Sequence, residues 1–216
     1  MEETADTKRD RNHPSFDHDW VRYQFFAKLR CPSKRCAEVV HCMGTGNVSE
    51  DPEFDPYTGE HTGMEYHKYL YPQYFIPELN IVDIPEECSA EVVKRMREAF
   101  KLFFASQNAA LNALRSALEY VLDDLGIPRL NGSGKRMNLH QRIESVDPAM
   151  HGFRTEWLLA LKIMGNSGTH GEEVDMHQLL DGCEVMEAVL AKVYQKQQLK
   201  RIDEIAEATI KRKNSV

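Results

Sequence analysis

The chain has 216 residues, of which 42% are hydrophobic and 28% charged, so it can bury one substantial core with a small appended module. Its formal net charge of −7 excludes a protein that coats duplex DNA non-specifically, because that mode needs many Lys and Arg side chains to neutralise phosphates. No run approaches the roughly 20 apolar residues of a membrane helix and the N-terminus lacks the apolar core of a signal peptide, so we expect a cytoplasmic protein without a membrane partner.

The N-terminal third of the chain divides into two predicted segments. Residues 1–19 are rich in charged residues, His and Asn, which predicts a flexible arm. Residues 20–80 begin with two short β-prone runs, at 20–30 and 37–43, that are separated by a turn containing Pro and Ser. This pattern predicts a β-hairpin.

The tip of this hairpin carries Cys31 and Cys36, which resemble one knuckle of a zinc ribbon. A structural zinc ion takes about four ligands. The remaining two would have to come from nearby side chains: His41, Cys42, His61 or His67. The alternative is that Cys31 and Cys36 are free, partly buried thiols that flank a turn. Structural zinc is therefore the cofactor hypothesis that the sequence raises.

Residues 44–63 contain Gly and Pro among acidic and polar residues, which predicts an exposed loop. Residues 66–77 crowd Tyr and Phe around Pro72 and Pro77. These prolines exclude a continuous helix and disfavour a central strand. We therefore expect an extended segment whose rings pack against helices, with stacking on nucleic-acid bases as the alternative.

From Ser89 onward the spacing of apolar residues becomes helical, and residues 81–195 are predicted to form a helical bundle. Ser89 indicates the start of a helix that reaches about Ala105, and a second helix stops at Gly126. Asn138 is predicted to cap a short helix. Residues 196–216 continue the apolar pattern as an amphipathic helical tail, whose narrow stripe suits packing or a homodimer.

Basic side chains gather on the first of these helices and in a Gly-rich loop at residues 131–136. We predict that they form a surface for nucleic acid or a protein partner. These residues are Lys94, Arg95, Arg97, Lys101, Lys135 and Arg136.

A later helix is predicted to break at Gly165, where Asn166 and His170 follow. One interpretation is structural, in which Asn166 and His170 bond to backbone groups that are left unpaired at the corner between two helices. The other is catalytic, in which His170 moves a proton and a cation stabilises the charge that builds on a phosphate. Lys162 and Arg115 are the candidate cations.

Several segments together resemble the bacterial and phage family called domain of unknown function 4145, over about residues 31–194. The most specific are Arg-Ser-Ala-Leu-Glu at 115–119 and Gly-Asn-x3-His at 165–170. That family is similar to the HEPN superfamily of helical bundles. The resemblance implies a mainly α protein, a HEPN-like helical bundle with a small N-terminal β-hairpin or zinc-ribbon-like segment.

The resemblance also implies two functions. Many HEPN proteins are metal-independent ribonucleases of toxin–antitoxin and anti-phage systems, and others are inert modules that bind nucleic acid or a partner. Their catalytic pattern is an Arg, often followed by a polar residue, with a His a few residues later. Here Asn166 and His170 match the pattern, but Gly165 replaces the Arg. We therefore expect a non-catalytic module that binds a protein or RNA in a defence or counter-defence context. A divergent ribonuclease is the alternative.

Overall fold

The computed structural model describes residues 1–147, 154–167 and 174–214. Contacts within the chain divide it into two compact units, Met1–Leu79 and Asn80–Val216. None of the helices in the described ranges combines the length and the apolar character that crossing a lipid bilayer requires.

The N-terminal unit is built on a four-stranded antiparallel sheet whose strands lie in chain order. Its elements are β1 (Glu2–Glu3), α1 (Ala5–Asp10), a short 3-10 helix (His18–Trp20), β2 (Arg22–Arg30), β3 (Val39–Phe54) and β4 (His61–Ile76). The hairpin predicted for residues 20–43 is confirmed by β2 and the start of β3. Residues 1–19, predicted as a flexible arm, contain β1 and α1, and the buried Thr7 hydroxyl donates to the Arg22 carbonyl at 3.3 Å.

This sheet makes the protein an α+β protein, so the prediction of a mainly α, HEPN-like bundle with only a small hairpin is wrong. The error lies in residues 44–76, which form most of two strands of 16 residues each. Gly44 and Gly46 belong to β3 because backbone packs against them there: a Cβ at Gly44 would collide with the Tyr71 carbonyl, and one at Gly46 would lie 2.7 Å from the Tyr69 carbonyl. Close backbone approach is one reason for glycine inside a strand.

Pro72 lies within β4 for two reasons. β4 is an edge strand of the sheet, and the register shifts beside Pro72, since Met43 pairs with Tyr74 whereas Gly44 pairs with Pro72. Gln73 is thus the extra residue of a β-bulge, and edges and bulges are where strands tolerate proline. The burial predicted for the rings of this segment is also wrong. Its exposed tyrosines, each about half accessible to solvent, are Tyr66, Tyr69, Tyr71 and Tyr74.

The C-terminal unit is helical. Its helices are α2 (Ala90–Leu102), α3 (Gln107–Asp124), α4 (Leu139–Glu144), α5 (Thr155–Ser167) and α6 (Met176–Asn214). The predicted helix start after Ser89 and the stop at Gly126, whose φ is +76°, are confirmed. Asn138 caps α4 as predicted, and its side chain and that of Gln141 form a reciprocal capping box. The tail predicted for residues 196–216 extends α6 as far as Asn214.

A single apolar core joins these helices. Fully buried side chains come from α2, α3, α5 and α6, with α4 contributing Leu139 and Ile143. Within the described ranges of this unit, Arg142 is the one buried charge, with 2% of its surface exposed. Arg142 donates to the Glu119 and Ile127 carbonyls at 3.0 and 2.9 Å and to the Asp123 carboxylate at 2.7 Å. One side chain of α4 therefore ties this short helix to the last turns of α3.

Replacing Arg142 with Met should lower the free energy of unfolding by about 2–3 kcal/mol, because two carbonyls and a carboxylate lose their buried donor. Urea denaturation followed by circular dichroism measures this loss. The matched change Arg97→Met, at an exposed position of α2, should stay within about 0.5 kcal/mol of the wild type. Equal effects of the two changes would contradict the structural role of Arg142.

Candidate functional site

The predicted helix break at Gly165 is wrong. Helix α5 continues through Gly165 to Ser167. Gly165 is buried, and a Cβ at this position would lie 2.6 Å from the Cβ of Arg115 on α3 and 2.9 Å from its Cδ. Glycine is therefore needed here because the stem of Arg115 crosses α5 at this point. The structure thus brings the stem of Arg115, a predicted cation, against Gly165, the first residue of the Gly-Asn-x3-His motif.

The guanidinium of Arg115 has few hydrogen-bond acceptors or counter-charges around it. Its Nε is buried without a hydrogen-bond partner. Within the described ranges, no ion pair joins Arg115 to a carboxylate, although Glu119 lies one helical turn away. A buried donor without a partner costs about 1–3 kcal/mol. Arg115 is therefore a guanidinium with donor capacity to spare.

Arg115 opens onto a small cavity, which we call the arginine cleft. Its volume is about 140 Å³. Four guanidinium side chains line it together with one carboxylate and three other residues. The lining residues are Arg115, Glu119, Arg129, Arg136, Met137, Asn138, Leu139 and Arg142. The middle and last turns of α3, the loop that follows it and α4 with its N-cap supply all of them.

The charge of the cleft is set by Asp123, which lies between Arg129 and Arg142. Asp123 accepts from Arg142 Nη2 at 2.7 Å and from Arg129 Nε at 3.0 Å. Partial burial opposes ionisation of this carboxyl, but its hydrogen bonds and charge interactions with the two arginines outweigh burial and lower the pKa of Asp123. Four guanidiniums thus face two carboxylates, Glu119 in the lining and Asp123 beside it, so positive charge remains in the cleft.

The predicted basic surface is divided between this cleft and the outer side of α2. Arg136 lines the cleft. Arg95 adjoins it through Tyr120, because the guanidiniums of Arg95 and Arg129 lie 5.8 and 5.2 Å from the centre of that ring. The remaining cations are exposed and lie outside the cleft lining: Lys94, Arg97, Lys101 and Lys135.

The other predicted catalytic residues are only partly placed. Lys162 and Asn166 are half-buried on α5, and their spacing of four residues puts them on the same side of that helix. His170, the predicted acid or base, lies outside the described residues.

The predicted zinc ligands do not come together. His41 and Cys42 are consecutive residues of β3, so their side chains point to opposite faces of the sheet. His41 stacks on Phe26 with 5.2 Å between ring centres, and burial raises the pKa of the Cys42 thiol. Cys31 and Cys36 lie in the β2–β3 turn. In the described part of the chain, no group of three or more His, Cys, Asp or Glu is arranged to hold a metal ion.

Sequence reasoning missed Arg129, Arg142 and Asp123. Arg142 had a detectable signal, because it lies three residues after Leu139 and next to Ile143, on the apolar side of a helix that Asn138 caps. A charged residue at such a position needs a partner. The convergence of Arg129 on the same carboxylate has no comparable signal, because it depends on how the loop after α3 folds.

Two family models match the chain. One, described as Domain of unknown function (DUF4145), covers residues 97–213, which is more than half of the chain and includes the arginine cleft. The other, described as Domain of unknown function (DUF8608), covers residues 1–75. No curated protein and no solved structure matches significantly.

The contact between Gly165 and Arg115 predicts that replacing this helical glycine lowers the free energy of unfolding, whereas such a change usually raises it. In a helix interior, Gly→Ala ordinarily stabilises by about 1 kcal/mol. Gly165→Ala should instead destabilise by about 1–3 kcal/mol, because the new Cβ meets a Cβ that is fixed to the backbone of α3. In an Arg115→Gly background the same change should be neutral or stabilising. Urea denaturation of the four proteins tests this, and a Gly165→Ala variant more stable than the wild type would refute the contact.

The lowered pKa of Asp123 predicts a pH-dependent contribution to stability. Since the folded-state pKa lies below the ordinary value of about 3.9, the stabilisation is complete at neutral pH and is lost as the pH falls through the lowered pKa. Asp123→Asn should lower stability by about 1 kcal/mol at neutral pH, and the difference from the wild type should shrink on acidification. Melting temperatures between about pH 7 and pH 3 measure this. A difference that stays constant, or is equalled by Asp181→Asn at an exposed position of α6, would rule it out.

Proposed function

This chain belongs to the family described as Domain of unknown function (DUF4145), and we propose that it is a non-catalytic protein that binds RNA through the arginine cleft. The observation that carries the proposal is the convergence of four guanidiniums on one cleft, where Glu119 is the carboxylate in the lining and Asp123, beside it, pairs with two of the arginines. Such a site suits an anion, and guanidinium groups match the geometry of phosphate oxygens.

The state of the individual arginines supports an anionic ligand. Arg142 and Arg129 form ion pairs with Asp123, which fixes the positions of their positive charges in the cleft lining. Arg115 and Arg136 form no ion pair in the described part of the chain, and the Nε of Arg115 is a buried donor without an acceptor. A phosphate oxygen at the cleft would accept from Arg115 and Arg136, and a bond to the buried Arg115 donor would offset the cost of leaving that donor unpaired.

The size of the cleft and the charge of the whole chain favour a local contact. A cavity of about 140 Å³ accommodates a phosphate group and part of a sugar, but not a long stretch of polymer. The net charge of −7 repels a polyanion elsewhere. Binding should therefore involve few phosphates and a shallow salt dependence. The similarity of this family to the HEPN superfamily, many of whose members act on RNA, supports RNA as the polymer.

A second candidate function, a metal-independent ribonuclease, is favoured by the contact between Arg115 and Gly165. In the HEPN pattern the cation comes from the residue at position 165, and here α3 supplies a guanidinium stem to the same place. His170 would then transfer the proton, Asn166 would orient the phosphate, and Arg115 or Lys162 would stabilise its charge. We rank this second because glycine occupies the pattern's own Arg position.

The proposal is tested by titrating a fluorescently labelled RNA hairpin with the full chain in the absence of divalent metal. Arg115→Gln and Arg136→Gln should each weaken binding roughly tenfold, equivalent to about 1.4 kcal/mol, and each should reduce the salt slope by about one. Lys192→Gln, at an exposed position of α6 outside the cleft, is the matched control and should change the affinity less than about twofold.

The outcomes are distinguishable. Absence of hairpin binding at low salt, or equal effects of the Arg115, Arg136 and Lys192 changes, would overturn the arginine cleft as an RNA site. Cleavage of the hairpin without metal, lost in a folded His170→Ala variant, would replace the binding proposal by the ribonuclease.

A further inference from the structure

A second surface of the chain has features of a ligand site, and it lies on the sheet of the N-terminal unit. Pairing across the sheet places Phe26 of β2, Met43 of β3 and Tyr74 of β4 in one transverse row. Residues directly opposite each other in paired strands project from the same face. We call this side of the sheet the open face. Phe26 and Tyr74 are 61% and 49% exposed on it.

Between these two rings lies a cavity of about 550 Å³, which we call the aromatic trough. Phe26 and Tyr74 come from strands that are two strand spacings apart, or about 9–10 Å, with Met43 between them. His41 stacks on Phe26 with an angle of 19° between the ring planes, which fixes the orientation of that ring while most of it stays in solvent. A trough with an aromatic ring on each side accepts a flat ring that stacks on either of them.

The trough also contains polar groups that can form hydrogen bonds to the edge of such a ring. Gln24 and Thr45 form the row next to Phe26 and Met43, and Gln73 also lines the trough. Gln73 is the extra residue of the β4 bulge, and bulges are used to re-aim side chains at functional sites. An amide group both donates and accepts hydrogen bonds, as the edge of a nucleobase does. Glu2, which pairs with Gln24, adds an acceptor.

The same face carries cations along β2. Its residues on the open face alternate as Arg22, Gln24, Phe26, Lys28 and Arg30, since successive side chains point to opposite sides of a strand. Cations therefore lie on both sides of the aromatic ring. Within the described ranges, neither Lys28 nor Arg30 forms an ion pair with a carboxylate.

We propose that the aromatic trough binds unpaired bases of single-stranded RNA, with Lys28 and Arg30 contacting the backbone that carries them. Exposed rings that are interleaved with amides and cations suit stacked bases and phosphates, whereas an apolar protein segment would leave the cations and amides without partners. The choice of RNA rests on the proposed function. The inference extends that function by naming the class of RNA, one with unpaired bases.

The test uses the full chain and two labelled RNAs of the same sequence, a single strand of about twelve nucleotides and its blunt duplex. Phe26→Ala and Tyr74→Ala should each weaken binding of the single strand by roughly 5- to 100-fold, as expected when one stacking interaction is lost. Binding of the duplex should change less than about twofold, because its bases are not accessible for stacking.

Two further variants separate stacking from a general effect on the fold. Phe26→Tyr should retain most of the single-strand affinity, because the ring is conserved. Tyr57→Ala removes a ring that is 96% exposed in the turn between β3 and β4, outside the trough, and should leave the affinity unchanged. Equal losses in Phe26→Ala and Tyr57→Ala, or failure of the wild type to bind the single strand, would overturn the inference.

The same titrations distinguish RNA binding at the aromatic trough from RNA binding at the arginine cleft. Arg115→Gln should weaken hairpin binding but leave intact the part of single-strand affinity that depends on Phe26. If the hairpin does not bind while the single strand binds in a Phe26-dependent manner, the arginine cleft fails and the trough stands. If the trough variants weaken binding of the blunt duplex and of the single strand equally, the trough is not a site for unpaired bases.

Discussion

The ionised carboxylate of Asp123 is the constraint on which the C-terminal unit depends. It is the common acceptor for Arg142, from the buried side of α4, and for Arg129, from the loop after α3. Without it, two guanidiniums would repel each other at the end of α3, and one of them would be buried without a counter-charge. With it, a short helix of six residues and a polar loop are fixed against α3. The electrostatic arrangement that stabilises this corner therefore also creates the concentration of positive charge that makes it a candidate binding site.

The N-terminal unit is held together differently, because its long strands lack a continuous apolar face. The sheet is joined by backbone pairing over β3 and β4, and glycines at 44 and 46 let neighbouring backbone approach closely. Much of its aromatic surface stays in solvent, which is an unusual use of large apolar side chains. A bulge then turns one amide side chain toward these rings. The two units thus offer different chemistry, guanidiniums in one and stacking rings in the other.

What the sequence could predict depended on whether the signal was local. Ser89, Asn138 and Gly126 mark helix ends through groups that act within one turn, and the helices begin and end accordingly. Most of β3 and β4 was missed because neither strand alternates apolar and polar residues cleanly, and because the bulge that admits Pro72 exists only once the strands pair. The candidate site could be predicted only in part. Arg115 and Gly165 could be identified separately, but their contact requires two helices to be packed.

That contact limits how the C-terminal unit can change. The stem of Arg115 occupies the volume in which a side chain at position 165 would begin, so one of the two positions must stay small. A side chain at position 165 of α5 and a long side chain at position 115 of α3 are thus sterically incompatible in this packing. Exchanging one for the other requires both positions to change together. The residue type at position 165 is therefore set by a side chain of another helix and not by the helix in which it lies.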